Sequence, residues 1–237
     1  MKSMKQIYEG KAKVIFSTED PDLVVQFFKD DASAFNGIKK GSIVDKGIIN
    51  NHISCRIFEY LMDKGVPTHF VKSLNDREML VKNLKIIPVE VVLRNVVAGS
   101  LSKRMGIKEG QPLKRPIMEF YYKDDDLGDP MISEEHIDVF ALATAQEVRK
   151  MKSLGFQINE LLWDFFKVRK IRLVDFKLEF GRHKGEILLG DEISPDACRL
   201  WGWDTNEKMD KDRFRFDLGK VEEKYHEVYQ LVCGEQA

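Results

Sequence analysis

Residues Leu173–Gly181 read Leu-Val-Asp-Phe-Lys-Leu-Glu-Phe-Gly, an alternation of period two that predicts a β-strand. Val174, Phe176, Leu178 and Phe180 make its core face, and Asp175, Lys177 and Glu179 put three charges on the other. The chain then turns through Arg182–Gly185 and returns as Glu186–Glu192, a hairpin that brings Asp191 back toward the charged face. Two carboxylates with a lysine between them suit a magnesium–nucleotide complex. Glu179 and Asp191 would hold the hard cation through oxygen, and Lys177 would meet phosphate. A solvated strand face is the plainer use of the same residues.

Four further constellations carry possible chemistry. Gly10-Lys11-Ala12-Lys13 lies inside a strand pattern, where period two points Lys11 and Lys13 the same way beside a glycine. That suits a polyphosphate, although exposed lysines more often just solvate a strand and no GxxxxGK[ST] loop is present. Ile86–Arg94 places Glu90 and Arg94 on one face of a mostly apolar strand, where charge is costly unless the two pair or serve a ligand. Ala98-Gly99-Ser100 leads into a short helix with Ser100 as the expected N-cap, and its N–H groups beside Arg94 would favour an anion. Arg199 either grips phosphate with its fork or covers Trp201. Lys123–Pro130 reads as a solvated acidic turn, and Lys208–Arg215 as a solvated helix face. The five histidines show no HxxxH spacing, so a zinc site is not expected.

These residues need elements to hold them. Strands are predicted at Gln6–Phe16, Leu23–Phe28, Thr68–Lys72, Glu78–Asn83 and Ile86–Val97. Helices are predicted at Asp45–Lys64, at Asp138–Val168 (one helix, or two joined near Gly155) and at Val221–Val232. Lys108–Pro116 reads as a polar loop. Strands and helices do not alternate regularly, so the fold class is α+β, divided at residue 85 into a β-rich part (1–85) and a larger part (86–237).

Composition sets the outer limits. The 237 residues carry 38 basic and 39 acidic side chains, a net charge of −1, which argues against a general nucleic-acid binder. Cys55, Cys198 and Cys233 are scattered and odd in number, which fits a reducing, cytoplasmic compartment rather than a disulfide framework. No signal-peptide pattern and no apolar run of the ~18–20 residues that span a bilayer is visible, so no membrane partner is expected.

Together, Tyr8–Lys13, Ile86–Ser100, Asp129-Pro130, Leu173–Gly181, Asp191–Asp196, Arg199–Trp201 and Lys211–Arg215 closely resemble the phosphoribosylaminoimidazole-succinocarboxamide synthase (SAICAR synthetase) family, over essentially the whole chain. Trp201-Gly202-Trp203-Asp204 is longer than the Trp-Asp expected there. The resemblance implies a two-lobed fold related to ATP-grasp enzymes, with ATP between the lobes. It implies a ligase that joins L-aspartate to the carboxylate of carboxyaminoimidazole ribonucleotide (CAIR) in purine biosynthesis, through an acyl phosphate. ATP and Mg²⁺ would be required, and a homodimer is expected. By the same resemblance, Lys11, Ala12, Lys13, Lys177 and the backbone of Lys82–Leu84 would bind ATP. Arg94, Ser100, Asp129, Arg199 and Arg215 would hold substrate, Glu179 and Asp191 the metal, and Asp175 would orient Lys177 or the imidazole amine. Lys177, Asp175 and Arg94 are the expected catalytic residues. A small-molecule phosphotransferase would use the same lysines and carboxylates but gives Arg94–Ser100 no task, and a noncatalytic nucleotide-binding module would be expected to have lost Glu179 or Asp191, both of which are present.

Overall fold

The computed structural model describes residues 5–35 and 37–234. Its first part runs β1 (Gln6–Glu9), β2 (Lys13–Ser17), β3 (Leu23–Phe28), β4 (Asp31–Ala34), β5 (Lys39–Ser42), α1 (Lys46–Asp63), β6 (Phe70–Asn75) and β7 (Glu78–Lys82). There follow β8 (Lys85–Val96), α2 (Gly99–Met105), β9 (Pro112–Tyr122), β10 (Met131–Ile132), α3 (Glu134–Val139), α4 (Ala145–Lys167), β11 (Ile171–His183), β12 (Glu186–Leu189), β13 (Cys198–Gly202), α5 (Asp212–Arg215) and α6 (Val221–Cys233). Strands and helices are mixed without βαβ regularity, in keeping with α+β.

Two sheets dominate. The first has the order β1-β2-β3-β7-β6. The second has the order β10-β9-β8-β11-β12, with β13 also on β11. Every strand pair in them is antiparallel. One apolar core joins them: Val24, Met79 and Val81 of the first sheet, Ile53 and Ile57 of α1, Val91, Leu93, Phe176 and Leu178 of the second sheet, and Ile158 and Leu162 of α4.

Three boundaries differ from the sequence reading, each for a local reason. Gln6–Phe16 is not one strand. Gly10 N–H donates to Lys13 O at 2.8 Å and closes a turn between β1 and β2, so Lys11 and Lys13 do not share a strand face. Lys108–Pro116 is not all loop, because β9 begins at Pro112 and pairs with β8 as far as Tyr122. Asp138–Val168 is two helices, but the joint lies at Phe140–Thr144, where Thr144 caps α4 by accepting from Glu147 N–H at 3.2 Å.

Gly155 instead sits within α4 facing the sheet. A Cβ there would stand 2.7 Å from Met118 Cε and 3.4 Å from Leu93 Cδ2. The missing side chain leaves room for the end of Met118 between the helix and the sheet. Gly155→Val should therefore destabilise the protein by about 1–3 kcal/mol through overpacking, read from denaturant unfolding. Stability equal to the parent would mean that α4 does not pack this closely.

Candidate active site

Strand register assembles the site. β8 and β11 pair Arg94 with Asp175, Val92 with Lys177 and Glu90 with Glu179. Directly opposed residues share a sheet face, so Glu90, Arg94, Asp175, Lys177 and Glu179 fall on one side. Leu93, Phe176, Val91 and Leu178 fall on the other, within the core. On the charged side Lys177 Nζ donates to Glu90 at 2.6 Å and to Glu179 at 2.8 Å, and Lys123 reaches Glu179 at 2.9 Å. Burial works against the Lys177 ammonium, but Glu179, Glu90 and Asp191 outweigh it and raise its pKa well above normal. Burial also pushes the Glu90 carboxyl up, against the pull of Lys177.

The far edge of β11 is interrupted. β13 pairs along Ile171–Phe176 and β12 along Phe180–His183, leaving the middle open to the Gly190–Ala197 segment. That segment bonds into the gap: Lys177 N–H donates to Ala197 O at 3.0 Å, and Gly190 N–H to Glu179 O at 2.9 Å. It delivers Asp191, which pairs with Lys13, and Glu192, 2.9 Å from the same ammonium. Burial opposes the charge on Lys13, yet these two carboxylates raise its pKa. The segment also delivers Asp196, which accepts from Lys46 at 2.9 Å, Tyr225 at 2.8 Å and Lys211 at 3.4 Å. Burial would raise the Asp196 pKa, but Lys211 and Lys46 hold it far below the carboxylate range. Lys211 shifts the other way: burial, with Lys46 and Arg215 nearby, lowers its pKa.

Arginines line the other end. Arg94 donates to Asp175 and Glu119, both at 2.6 Å, and to Ser100 and Tyr121, both at 3.1 Å. Arg199 grips Asp175 at 2.9 and 3.0 Å and Asp212 at 2.8 Å, and Asp212 holds Arg215 at 2.6 Å. Gly99 lies over this fork with φ +53°, where a Cβ would stand 2.6 Å from an Arg199 nitrogen. Only glycine meets both conditions.

Two cavities open on these groups. One, of about 540 Å³, has an apolar end made by Tyr8, Ile15, Val24, Val81, Leu84 and Ile86, and a charged end with Lys13, Lys123, Glu179 and Asp191. The other, of about 400 Å³, is lined by Arg94, Ser100, Tyr121, Asp175, Arg199 and Arg215. They share Lys11, Glu90, Asp129, Lys177, Asp196 and Lys211. Ala12 and Lys82 also line the larger cavity, so each residue singled out for binding borders one cavity or both.

Several expected roles change. Glu90 and Arg94 do not pair with each other; Lys177 takes the first, and Asp175 with Glu119 the second. Asp175 orients the two arginines rather than Lys177. Ser100 is not the N-cap, because α2 begins at Gly99 with Ala98 as cap. The Gly99 N–H already donates to Glu109 at 2.8 Å, and the Ser100 hydroxyl accepts from Arg94 at 3.1 Å. Lys82 N–H donates to His69 O at 2.7 Å, while Lys82, Asn83 and Leu84 all line the larger cavity. Arg199 does not cover Trp201, since Lys208 lies over that ring at 5.8 Å. Lys208–Arg215 is no solvated face: Asp210, Asp212 and Arg213 are buried. The acidic turn is also engaged, with Asp125 2.7 Å from Lys11. The extra residues at Trp201–Asp204 form a turn in which Gly202 N–H donates to Glu207 O at 2.9 Å and Trp203 packs on Trp163.

The residues that sequence reasoning left without a role are Lys46, Lys123, Asp196, Asp212 and His69. Burial pushes the His69 imidazole down to about 3, with Lys13 and Lys82 adding to it, so the ring is neutral near pH 7. Glu179 and Asp191 offer hard oxygen donors within one lysine cluster, which fits a magnesium ion whose other ligands come from phosphates and water. Among the described residues no group of three metal-ligating side chains stands together.

The profile of the SAICAR synthetase family matches residues 6–232. The phosphoribosylaminoimidazole-succinocarboxamide synthase of Chlorobium phaeovibrioides is 61% identical over 226 residues, 95% of each chain. The crystal structure of the synthase from Ehrlichia chaffeensis superposes with a TM-score of 0.95 at 51% identity, over 98% of this chain and all of that one. A SAICAR synthetase in complex with ADP gives a TM-score of 0.93 at 45% identity, over 97% and 98% of the two chains. With profile, sequence and fold agreeing along nearly its whole length, the chain belongs to the SAICAR synthetase family.

Proposed function

We propose that the chain is an ATP-dependent ligase that joins L-aspartate to the carboxylate of CAIR, giving SAICAR, ADP and phosphate in purine biosynthesis. One observation carries this reading. A cavity with an apolar end and a lysine–carboxylate end shares a wall with an arginine-lined cavity. The first suits ATP, its base in the apolar end and its phosphates toward Lys11, Lys13 and Lys177. The second suits a small acidic substrate, with Arg94, Ser100, Arg199 and Arg215 meeting the phosphate and carboxylate of the ribonucleotide. ATP would thus lie between residues 1–85 and 86–237, in a two-lobed arrangement related to ATP-grasp enzymes. Family membership supports a homodimer in the cytoplasm. No described helix is long and apolar enough to cross a membrane.

The chemistry explains the shared wall. A carboxylate and a triphosphate repel, so positive charge must be in place before attack on the γ-phosphate. Lys177 stands on that wall, held by Glu90 and Glu179, and would stabilise the charge on the transferring phosphoryl group. Attack yields an acyl phosphate, and the aspartate amine then displaces phosphate. Asp129, which borders both cavities, is assigned to a substrate amine. Glu179 and Asp191 would hold Mg²⁺, which would offset the charge of the phosphates. In return, phosphate oxygens would take up Lys177, which now holds Glu179.

The test is ADP formation with Mg²⁺ and ATP, with CAIR and L-aspartate supplied singly and then together. Turnover that needs both establishes the ligase; no turnover in a protein that binds ATP returns the reading to a phosphotransferase or a noncatalytic module. Lys177→Ala should lower turnover at least about 100-fold while circular dichroism shows the fold retained. Near-parent turnover would remove Lys177 from the chemistry. Glu179→Gln and Asp191→Asn should each raise the magnesium concentration for half-maximal rate by about tenfold, from loss of a charge-assisted oxygen ligand. An unchanged magnesium dependence would take that carboxylate out of the metal site.

A further inference from the structure

Behind the wall of the smaller cavity stands Arg104. It follows Ser100 by four residues on α2, so the two side chains share one face of that helix. Arg104 Nη1 donates to the Ser100 hydroxyl at 3.2 Å and to the Tyr121 hydroxyl at 3.1 Å. Arg94 Nη2 donates to the same two oxygens, each at 3.1 Å. Two guanidiniums are thus bridged by two hydroxyls. Glu119, buried beneath them, compensates both charges: it accepts from Arg94 Nε at 2.6 Å and pairs with Arg104. Ser100 and Tyr121 line the smaller cavity, whereas Arg104 lines neither cavity.

Donor counting fixes where the hydroxyl protons go. An arginine only donates, and a hydroxyl oxygen has two lone pairs and one proton. Arg94 and Arg104 therefore fill both lone pairs of each hydroxyl. Tyr121 sends its proton inward and donates to Glu119 at 2.8 Å. The Ser100 proton has no acceptor among the described residues, and Ser100 is an exposed residue on the cavity wall. That proton is left for a ligand. A ribonucleotide offers phosphate and carboxylate oxygens, which accept. Ser100 borders only the smaller cavity, away from the wall shared with the larger one. The carboxylate must reach that shared wall to meet the γ-phosphate of ATP, so the ribonucleotide's own phosphate is the group left for Ser100.

We infer that Arg104 is a positioning residue for the ribonucleotide: with Arg94 it fills both lone pairs of the Ser100 hydroxyl and so turns that proton into the cavity, toward the 5′-phosphate. This rests on the reading of the smaller cavity as the CAIR site. Without Arg104 the Ser100 oxygen regains a free lone pair and its hydroxyl can rotate. The serine then presents that lone pair to the phosphate part of the time, and two acceptors repel. Charge alone does not replace the arginine. A lysine at 104 keeps the charge, but its ammonium lacks the planar fork that holds two hydroxyls and a carboxylate at once.

Steady-state kinetics and ribonucleotide binding of Ser100→Ala, Arg104→Met, Arg104→Lys and the double variant Ser100→Ala/Arg104→Met decide the matter. Ser100→Ala should raise the KM for CAIR about tenfold and Arg104→Met about fivefold, with kcat and the KM values for ATP and L-aspartate near the parent's. Because Arg104 acts through Ser100, the double variant should match Ser100→Ala, whereas independent effects would multiply to about fiftyfold. Arg104→Lys should stay impaired. Calorimetric binding of 5-aminoimidazole ribonucleotide, which keeps the phosphate and lacks the carboxylate, should weaken by the same factors. Multiplying effects, a parent-like KM for CAIR in either Arg104 variant, or a rise shared by all three substrates (the mark of a fold-support role) would overturn the assignment. So would a loss seen with CAIR but not with the carboxylate-free ribonucleotide. A parent-like Ser100→Ala would overturn it whether or not the Arg104 variants fold. A parent that makes no SAICAR, yet binds the carboxylate-free ribonucleotide with this dependence on Arg104, would sink the ligase reading and leave the Arg104 assignment standing.

Discussion

Charge compensation along one face of β8 and β11 is the constraint on which the molecule depends. Glu90, Arg94, Asp175 and Glu179 are all nearly excluded from water. Removing such a group from water costs several kcal/mol, and leaving a buried partner unpaired costs about 3–5 kcal/mol. The cost is met only because antiparallel register places Arg94 across from Asp175 and sets Lys177 between Glu90 and Glu179. A slip of one residue would turn these charges into the core and Leu93 and Phe176 out of it. The apolar face thus locks the register, and the register is what makes a buried polar face tolerable.

The interrupted edge of β11 converts that face into a site. Were β12 or β13 longer, the middle of β11 would be sealed by an ordinary ladder. Instead Gly190–Ala197 bonds into the gap with irregular backbone, which frees Asp191 and Asp196 to meet lysines from β2, α1 and the segment before α5. The arginine end is braced in a similar way. Asp210, fully buried, accepts from Leu200 N–H at 2.9 Å and from Asp212 N–H at 2.7 Å, tying the strand that carries Arg199 to the turn that carries Asp212 and Arg215. Burial and the Asp212 charge push the Asp210 carboxyl up to about 7. It holds backbone rather than a cation, which suits a group so fully withdrawn from water.

What the sequence made legible is what its local pattern encodes. Both faces of Leu173–Gly181 are written in residue type, and so is the apolar face of Ile86–Arg94. Partners are another matter. That Glu90 meets Lys177, or Arg94 meets Glu119, depends on which strands are neighbours, and alternation is silent on that. Asp212 and Arg213 looked solvated because mixed charge is the signature of a surface helix. Here the charges are satisfied by one another and by backbone carbonyls such as Gly219 O, 2.7 Å from Arg213. β9 was missed because its first half carries Pro112, Lys114, Arg115 and Pro116, largely exposed, so neither alternation nor β-propensity marks it.

The N-terminal lysines show why a misplaced boundary changes the chemistry. Read as one strand, Lys11 and Lys13 would be equivalent phosphate contacts. The turn closed by Gly10 N–H separates them. Lys11 pairs with Asp125 at the rim, where the side chains are 43% and 62% exposed. An exposed pair of that kind is worth about 0–1 kcal/mol, so Lys11 can turn to an arriving anion at little cost. Lys13 lies beneath, locked to Asp191 and Glu192, and its value is positional: it holds two carboxylates in place and supplies a fixed charge in a region of low dielectric. A site that must bring a carboxylate against a triphosphate needs both kinds. Redirectable charge at the mouth would admit the anion, and fixed charge behind it would lower the barrier without reorganising during the reaction.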